Sequence, residues 1–196
     1  ADYIAQVYGG VDFIAVYDTG NAAYAEAWYK AFRQRYEAKG GRVADAVPLQ
    51  TTPLALYHET VTAALLNNPR AKGLCGVAGS IDTAGLAQAF KQRIPGGILA
   101  VSGWASSSDL ISYGGKAVEG AIMAQSYNFM DDSPAFLAFK ERFQENFGRT
   151  PSFGAAHAYE AVHYLKAALT LRKKGELLKE ALKRVKEIQG DRKSVV

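Results

Sequence analysis

Residues 11–32 read VDFIAVYDTGNAAYAEAWYKAF, and the pattern of this stretch decides the fold. Phe13-Ile14-Ala15-Val16-Tyr17 is an unbroken apolar run, which a strand covered on both faces requires. Asp18-Thr19-Gly20-Asn21 then supplies residues suited to turns and helix starts. Tyr24, Ala27, Trp28, Ala31 and Phe32 follow at the spacing of one helical face. Strand, short loop and helix make the first half of a βαβ unit. Open α/β sheets bind ligands outside the carboxyl ends of their strands, so Asp18 to Tyr24 is expected to face a cleft.

Working outward, the same rhythm continues. Ala1 to Val7 reads as the end of a helix, and Lys39-Gly40-Gly41 closes the helix of the opening stretch with C-cap glycines. A second strand, Arg42 to Leu49, leads through Thr51-Thr52-Pro53 to a helix around Leu56 to Leu66, which Asn67-Asn68-Pro69 stops. Gly73 to Ala78 is a third strand, followed by a helix from Asp82 to Lys91 that Asp82 is expected to cap. Pro95-Gly96-Gly97 turns into a fourth strand, Ile98 to Ser102. Four strands with three intervening helices predict a parallel sheet with helices on its faces.

After Ser102 the pattern changes. Gly103 to Ser108 is polar and aromatic, Ser108-Asp109 starts a short helix ending at Gly114-Gly115, and Ala117 to Ser126 reads as a strand. Three helices are then expected in succession. The first starts at Ser133-Pro134 and carries Phe136, Phe139, Phe143 and Phe147 in one stripe. The others span about Gly154 to Leu171 and Gly175 to Ile188. These apolar faces need a partner surface that residues 116–196 do not themselves supply, which predicts further sequence before Ala1.

Composition narrows the function classes. In 196 residues, 48% are hydrophobic and 21% charged, the balance of a globular protein. No apolar run is long enough to span a bilayer. The mildly basic charge of +4 gathers near the C-terminus. There Lys and Arg alternate with Leu177, Leu178, Leu182 and Val185 as on a solvated helix face, not as in a nucleic-acid site. Cys75 is the single cysteine, so an internal disulfide and a multi-cysteine metal site are excluded. GLCGVAG lacks the G-x-G-x-x-G spacing of a dinucleotide loop, no H-E-x-x-H pair indicates a metal, and no G-x-S-x-G elbow marks a nucleophile. The sequence therefore predicts neither a cofactor, nor a metal, nor an enzyme.

Four blocks in order, VDFIAVYDTGNAAYAEAW, GLCGVAGSIDTAGLAQAF, ILAVSGWASSSDLISYGGKAVEGA and PAFLAFKERFQENFGRTPSFGAAHAYEAVHYLKAAL, resemble type I periplasmic binding proteins. Among these the chain looks most like the branched-chain amino acid (Leu/Ile/Val) receptors of ABC transporters, over nearly its whole length. The resemblance implies an α/β fold of two lobes joined by crossover strands, with ligand enclosed between them. It assigns residues 1–115 to a complete lobe 2, and residues 116–196 to a crossover strand and the helices of a partial lobe 1. The N-terminal part of lobe 1, with the loop that holds a ligand's carboxylate in the family, is not in this sequence. The tail also departs from the family, since Gly190 joins Asp191 directly where a short hairpin is usual.

By the same resemblance, the candidate ligand contacts are Asn21 and Tyr24 after the first strand, Ser80 and Asp82 after the third, Ser102 and Trp104 after the fourth, and Tyr127 past the crossover strand. Four of them have a plainer role open: N-caps for Asn21 and Asp82, core packing for Tyr24 and Tyr127. The position of Trp104 is one where the amino-acid receptors carry an acid for the ligand's ammonium group, so an aromatic or aliphatic carboxylate is a second ligand class, while Asp82 or an acid outside this sequence would restore the amino-acid reading. The implied function is an extracytoplasmic solute-binding protein, periplasmic or extracellular with lipoprotein anchoring as an option. Its partners would be a small-molecule ligand and the membrane permease of an ABC importer. A sensor domain of the same fold in a signalling or regulatory protein is the alternative.

Overall fold

The computed structural model describes residues 1–50, 55–128, 130–189 and 193–195. The expected link through Thr51-Thr52-Pro53 and the Gly190–Asp191 junction lie outside the described residues. Two compact units are formed, Ala1–Ser126 and Tyr127–Val196.

The first unit runs α1 (Asp2–Tyr8), β1 (Asp12–Asp18), α2 (Ala22–Glu37), β2 (Arg42–Leu49), α3 (Ala55–Asn67), β3 (Ala71–Val77), α4 (Ser80–Arg93), β4 (Ile98–Ser102), α5 (Ser108–Gly114) and β5 (Ile122–Ala124). All five strands are parallel, in the order β2-β1-β3-β4-β5. Burial on both faces explains the continuous apolar runs of β1, β3 and β4. Alternate residues serve opposite cores. Ile14, Val16, Leu74 and Leu99 meet Tyr57, Val61, Leu86 and Phe90 of α3 and α4. Phe13, Ala15, Cys75, Val77 and Ala100 meet Ile4, Ala25, Phe32 and Tyr36 of α1 and α2. Gly73 sits opposite Phe13 because a Cβ there would lie 2.5 Å from the Phe13 ring. Pro48, which has no N–H to donate, is tolerated because β2 is an edge strand.

Two expectations change here. The buried face of α2 is Ala25, Phe32 and Tyr36, with Trp28 and Tyr29 partly covered, while Tyr24, Ala27 and Ala31 stay exposed. The face is rotated because Tyr36 fastens the helix end, its hydroxyl donating to the carbonyls of Gly9 and Val11 at 3.1 and 2.7 Å. The strand expected over Ala117 to Ser126 shrinks to Ile122–Ala124, since residues 115–118 form a 3-10 turn and Gly120 adopts φ +74°. β5 pairs with β4 and so belongs to the compact unit that ends at Ser126.

The second unit holds α6 (Pro134–Phe147), α7 (Phe153–Leu171), α8 (Leu178–Leu182) and an antiparallel pair, β6 (Glu187–Gln189) with β7 (Lys193–Val195). Ser133 caps α6 by accepting from the Phe136 amide, with Pro134 at the first helical position. Phe136 and Phe139 are buried with Tyr127 and Ala156, whereas Phe147 is exposed. The helix expected over Gly175 to Ile188 is only Leu178–Leu182. Gly175 at φ +80° precedes it, and Glu187–Gln189 pairs as a strand. Ala181 of α8, Val185 between α8 and β6, and Ile188 of β6 all reach one core against Ala168.

Candidate ligand-binding site

From β1 the chain passes through α2 to β2 on one face of the sheet and returns through α3 to β3 on the other. The switch point of this doubly wound sheet therefore lies between the carboxyl ends of β1 and β3, where open α/β sheets bind ligands. Six of the seven candidate residues lie at this edge: Asn21 and Trp104 in the turns after β1 and β4, Tyr24, Ser80 and Asp82 in the first turns of α2 and α4, and Ser102 at the end of β4.

Those loops are tied to one another. The Thr19 amide and hydroxyl both donate to the Leu49 carbonyl, at 2.8 and 3.1 Å, joining the ends of β1 and β2. Ser107 Oγ donates to Ser80 Oγ at 2.7 Å and accepts from the Asp109 amide, linking the start of α4 to the loop after β4. Gln125 Nε2 donates to Ser106 Oγ at 3.0 Å, extending the rim to β5. Gly103 is required between Ser102 and Trp104, since a Cβ there would lie 2.9 Å from the Ala124 carbonyl oxygen.

Tyr24 and Trp104 meet edge to face, their ring centroids 5.7 Å apart at 80°. Tyr24 is exposed and Trp104 half-buried. They come from the first turn of α2, which follows β1, and from the turn after β4; β1 and β4 do not pair, so the contact spans the carboxyl end of β3. Ser102, two residues before Trp104, is fully buried, and its Oγ has no hydrogen-bond partner among the described residues.

Asp82 does not cap α4. Gly79 occupies the N-cap position without a side-chain bond, and Asp82 lies in the first turn, where it accepts a hydrogen bond from the Tyr57 hydroxyl. Burial, then the bond to Asp82 and the charges of Asp82 and Asp18, raise the Tyr57 phenol far above its ordinary pKa, so it stays a donor. Asn21 holds the N-cap position of α2 with its backbone, whose carbonyl accepts from the Tyr24 and Ala25 amides. Its exposed side chain makes no capping bond. Tyr127 belongs to the second unit, buried among Phe136, Phe139 and Ala156, with its hydroxyl donating to the Pro151 carbonyl.

Sequence reading passed over Tyr57, Ser107 and the side chain of Asp18. Asp18 is buried and accepts from the Gly20 amide at 2.7 Å. Tyr57 left one trace, the glycine at position 85 in the middle of α4. A Cβ there would lie 2.3 Å from the Tyr57 ring, so the small residue admits the ring that delivers the hydroxyl to Asp82.

The rim offers aromatic faces, hydroxyls and two engaged carboxylates, and among the described residues no cluster of His, Cys, Asp and Glu could hold a metal. A family model described as periplasmic binding protein matches residues 1–193. The chain belongs to the periplasmic binding protein family. A comparison with curated proteins gave no match. Among solved structures, the leucine binding protein LivK from Thermotoga maritima is similar over 94% of this chain and 51% of that one, at 19% identity and a TM-score of 0.78. LivJ from Streptococcus pneumoniae, a branched-chain amino acid transporter substrate binding protein in complex with isoleucine, covers 99% and 55% at 15% identity and a TM-score of 0.78. A solute binding protein from Rhodopseudomonas palustris in complex with benzoate covers 92% and 48% at 15% identity and a TM-score of 0.69. At these identities the likeness is one of fold, and the fold is that of the type I periplasmic binding proteins. This binding-protein chain spans about half the length of those solved relatives.

Proposed function

We propose that the whole protein is an extracytoplasmic solute-binding protein of an ABC importer. In this reading it captures a small carboxylate, such as a branched-chain amino acid, between two lobes and delivers it to a membrane permease. It does no chemistry on the solute. Residues 1–115 belong to lobe 2, and the rim at its strand ends forms that lobe's side of the pocket. The observation that carries the reading is the Tyr24–Trp104 pair at the switch-point edge of a periplasmic-binding-protein fold. Tyr24 and Trp104 provide apolar walls, and Asn21, Ser80, Asp82 and Ser102 provide polar groups along the same edge. Solute bridging the lobes favours the closed state by the contacts it makes only there. No helix among the described residues is long and apolar enough to cross a membrane.

A thermal-shift screen of the full-length protein against amino acids and small carboxylates tests this. A solute at about 100 times its Kd should stabilise by about 2.7 kcal/mol, a rise in Tm that grows with concentration. A melting temperature unmoved by branched-chain amino acids and by benzoate-like acids alike would reject it.

A further inference from the structure

The positive charge of the chain is concentrated in one segment that the solute-binding reading leaves unused. Residues 166–187 hold eight Lys and Arg against three Glu, a surplus of five in a chain whose net charge is +4. These cations suit the solvated face of one long helix, yet only Leu178–Leu182 is helical after α7. The fold instead brings Lys166 of α7 and Lys186, from the segment between α8 and β6, to one groove of about 470 Å³ in the second unit. A groove of that size can seat a small ligand or one end of a larger one.

The apolar part of its lining is Ala167, Val185 and Ile188, which belong to the core of this unit. Thr170 also lines it, but its hydroxyl donates to the Lys166 carbonyl at 3.0 Å. The ring of His163 rests against Tyr159, with centroids 4.4 Å apart. Fixed charge therefore comes from Lys166 and Lys186. Both are exposed, and neither has an ion pair among the described residues, whereas Lys183 is held by Glu180 and Arg184 by Glu176. No acid lines the groove among the described residues. Two ammonium groups beside an apolar lining match an anion carried on an apolar body.

The turn that follows α7 favours a surface over a free molecule as the source of that anion. Leu171 lines the groove and is 46% exposed, Leu177 is 60% exposed, and Lys173 and Lys174 are exposed between them. The turn is fixed from two sides. Arg184 Nη2 donates to the Leu171 carbonyl and Arg172 Nε to the Glu176 carbonyl, each at 2.7 Å. Exposed leucines interleaved with lysines can enter the acyl boundary of a bilayer while the ammonium groups stay at the level of anionic headgroups.

We propose that the groove and the turn at the end of α7 form a contact site for anionic phospholipid at a membrane surface. Lys166 and Lys186 take the phosphate, and Leu171 and Leu177 meet the acyl chains.

Co-flotation of the full-length, unacylated protein with vesicles tests this. Vesicles of about one-third phosphatidylglycerol in phosphatidylcholine should bind it, vesicles of phosphatidylcholine alone should not, and binding should fall as salt rises. Lys166→Gln with Lys186→Gln should weaken the partition by about twenty-fivefold, since each lysine at such a surface contributes about fivefold, and Lys166→Glu with Lys186→Glu should weaken it further. Leu171→Ser with Leu177→Ser should weaken it by about tenfold and leave the salt dependence as it was. Lys39→Glu with Lys116→Glu, the same charge change on exposed residues of the first unit, should keep it within about twofold. Far-UV circular dichroism and melting confirm that each variant folds. Equal binding to both kinds of vesicle overturns the proposal. So does an equal loss from the Lys39 and Lys116 reversals, which would make the attraction one of net charge. Binding of dodecanoate that needs Lys166 and Lys186, with no vesicle binding, would give the groove to a soluble amphiphile and overturn the membrane assignment. None of these results touches the solute-binding reading, which the thermal-shift screen decides by itself.

Discussion

The hydroxyl of Tyr57, on α3, donates to the carboxylate of Asp82, on α4, and so joins two helices at the carboxyl edge of the sheet. Tyr57 is 3% exposed and its phenol is raised in pKa above the ordinary 10.0. Burial is the largest cause, followed by the bond to Asp82. In the unfolded chain the phenol ionises near that ordinary value, while in the folded protein it keeps its proton. Its contribution to stability is therefore complete below about pH 10 and is lost as pH rises toward the folded value. Tyr57→Phe should cost about 2 kcal/mol at neutral pH, the worth of a hydrogen bond to a charged group. It should also reduce, without abolishing, the alkaline loss of stability, because Tyr36 and Tyr17 are raised by burial as well. Urea unfolding at pH 7 and at pH above 10 measures both effects, and an unchanged alkaline slope would count against a buried, proton-retaining Tyr57.

Gly85 makes that bond possible, and the effect of replacing it runs against helix propensity. Glycine to alanine inside a helix ordinarily gains about 1 kcal/mol. Here the new Cβ would lie 2.3 Å from Cδ2 and 2.6 Å from Cε2 of the Tyr57 ring, within a buried core. Overpacking of this kind costs about 1–3 kcal/mol. Gly85→Ala should therefore destabilise the protein, and the loss should shrink in a Tyr57→Ala background, where the ring is gone. A double-mutant cycle by chemical denaturation reads this coupling directly. Additive effects would show that Gly85 is not there for Tyr57.

Cys75 lies at the centre of the sheet in β3, fully buried against the α1 and α2 core. Burial pushes its thiol well above the usual range. The thiolate is the reactive form, so the native protein should not react with an aromatic disulfide reagent, whereas the protein in denaturant should release one equivalent of chromophore per chain. Rapid labelling of the native protein would mean that this strand opens readily.

What the sequence disclosed and what it hid divide along the same physical line. The four-strand sheet was legible because Phe13–Tyr17, Gly73–Ala78 and Ile98–Ser102 are apolar on both pleats, a pattern with few other uses. The carboxyl edge of the sheet followed from its parallel order, while Tyr24 and Trp104 were singled out on it by the family resemblance. The tail was not legible in the same way. Leu178, Leu182, Val185 and Ile188 suit a helix, yet only Leu178–Leu182 forms one, because burial against Ala168 is met equally well by a turn and a strand. Tyr57 and Asp82 are 25 positions apart on two different helices, and no local pattern encodes the packing that brings them together. Gly85 was the visible trace, but glycine inside a helix serves several purposes, and only the fold shows that this one makes room for a ring.

Ser102 ends β4 with a fully buried hydroxyl that has no hydrogen-bond partner among the described residues. A buried polar group in that state costs about 1–3 kcal/mol relative to a paired one. Ser102→Ala removes the group and only one heavy atom of volume. In the ligand-free protein the substitution should therefore leave stability unchanged or raise it by about 1 kcal/mol. Solute affinity should move the other way: if the hydroxyl is completed by bound solute at this edge, Ser102→Ala should weaken binding by about tenfold while the ligand-free melting temperature holds. Calorimetric melting without solute, followed by titration with the solute that the screen identifies, separates the two effects. A ligand-free protein that loses more than about 1 kcal/mol on the substitution would show that Ser102 already has its partner, a bridging water for instance, and that its hydroxyl serves the fold rather than the solute.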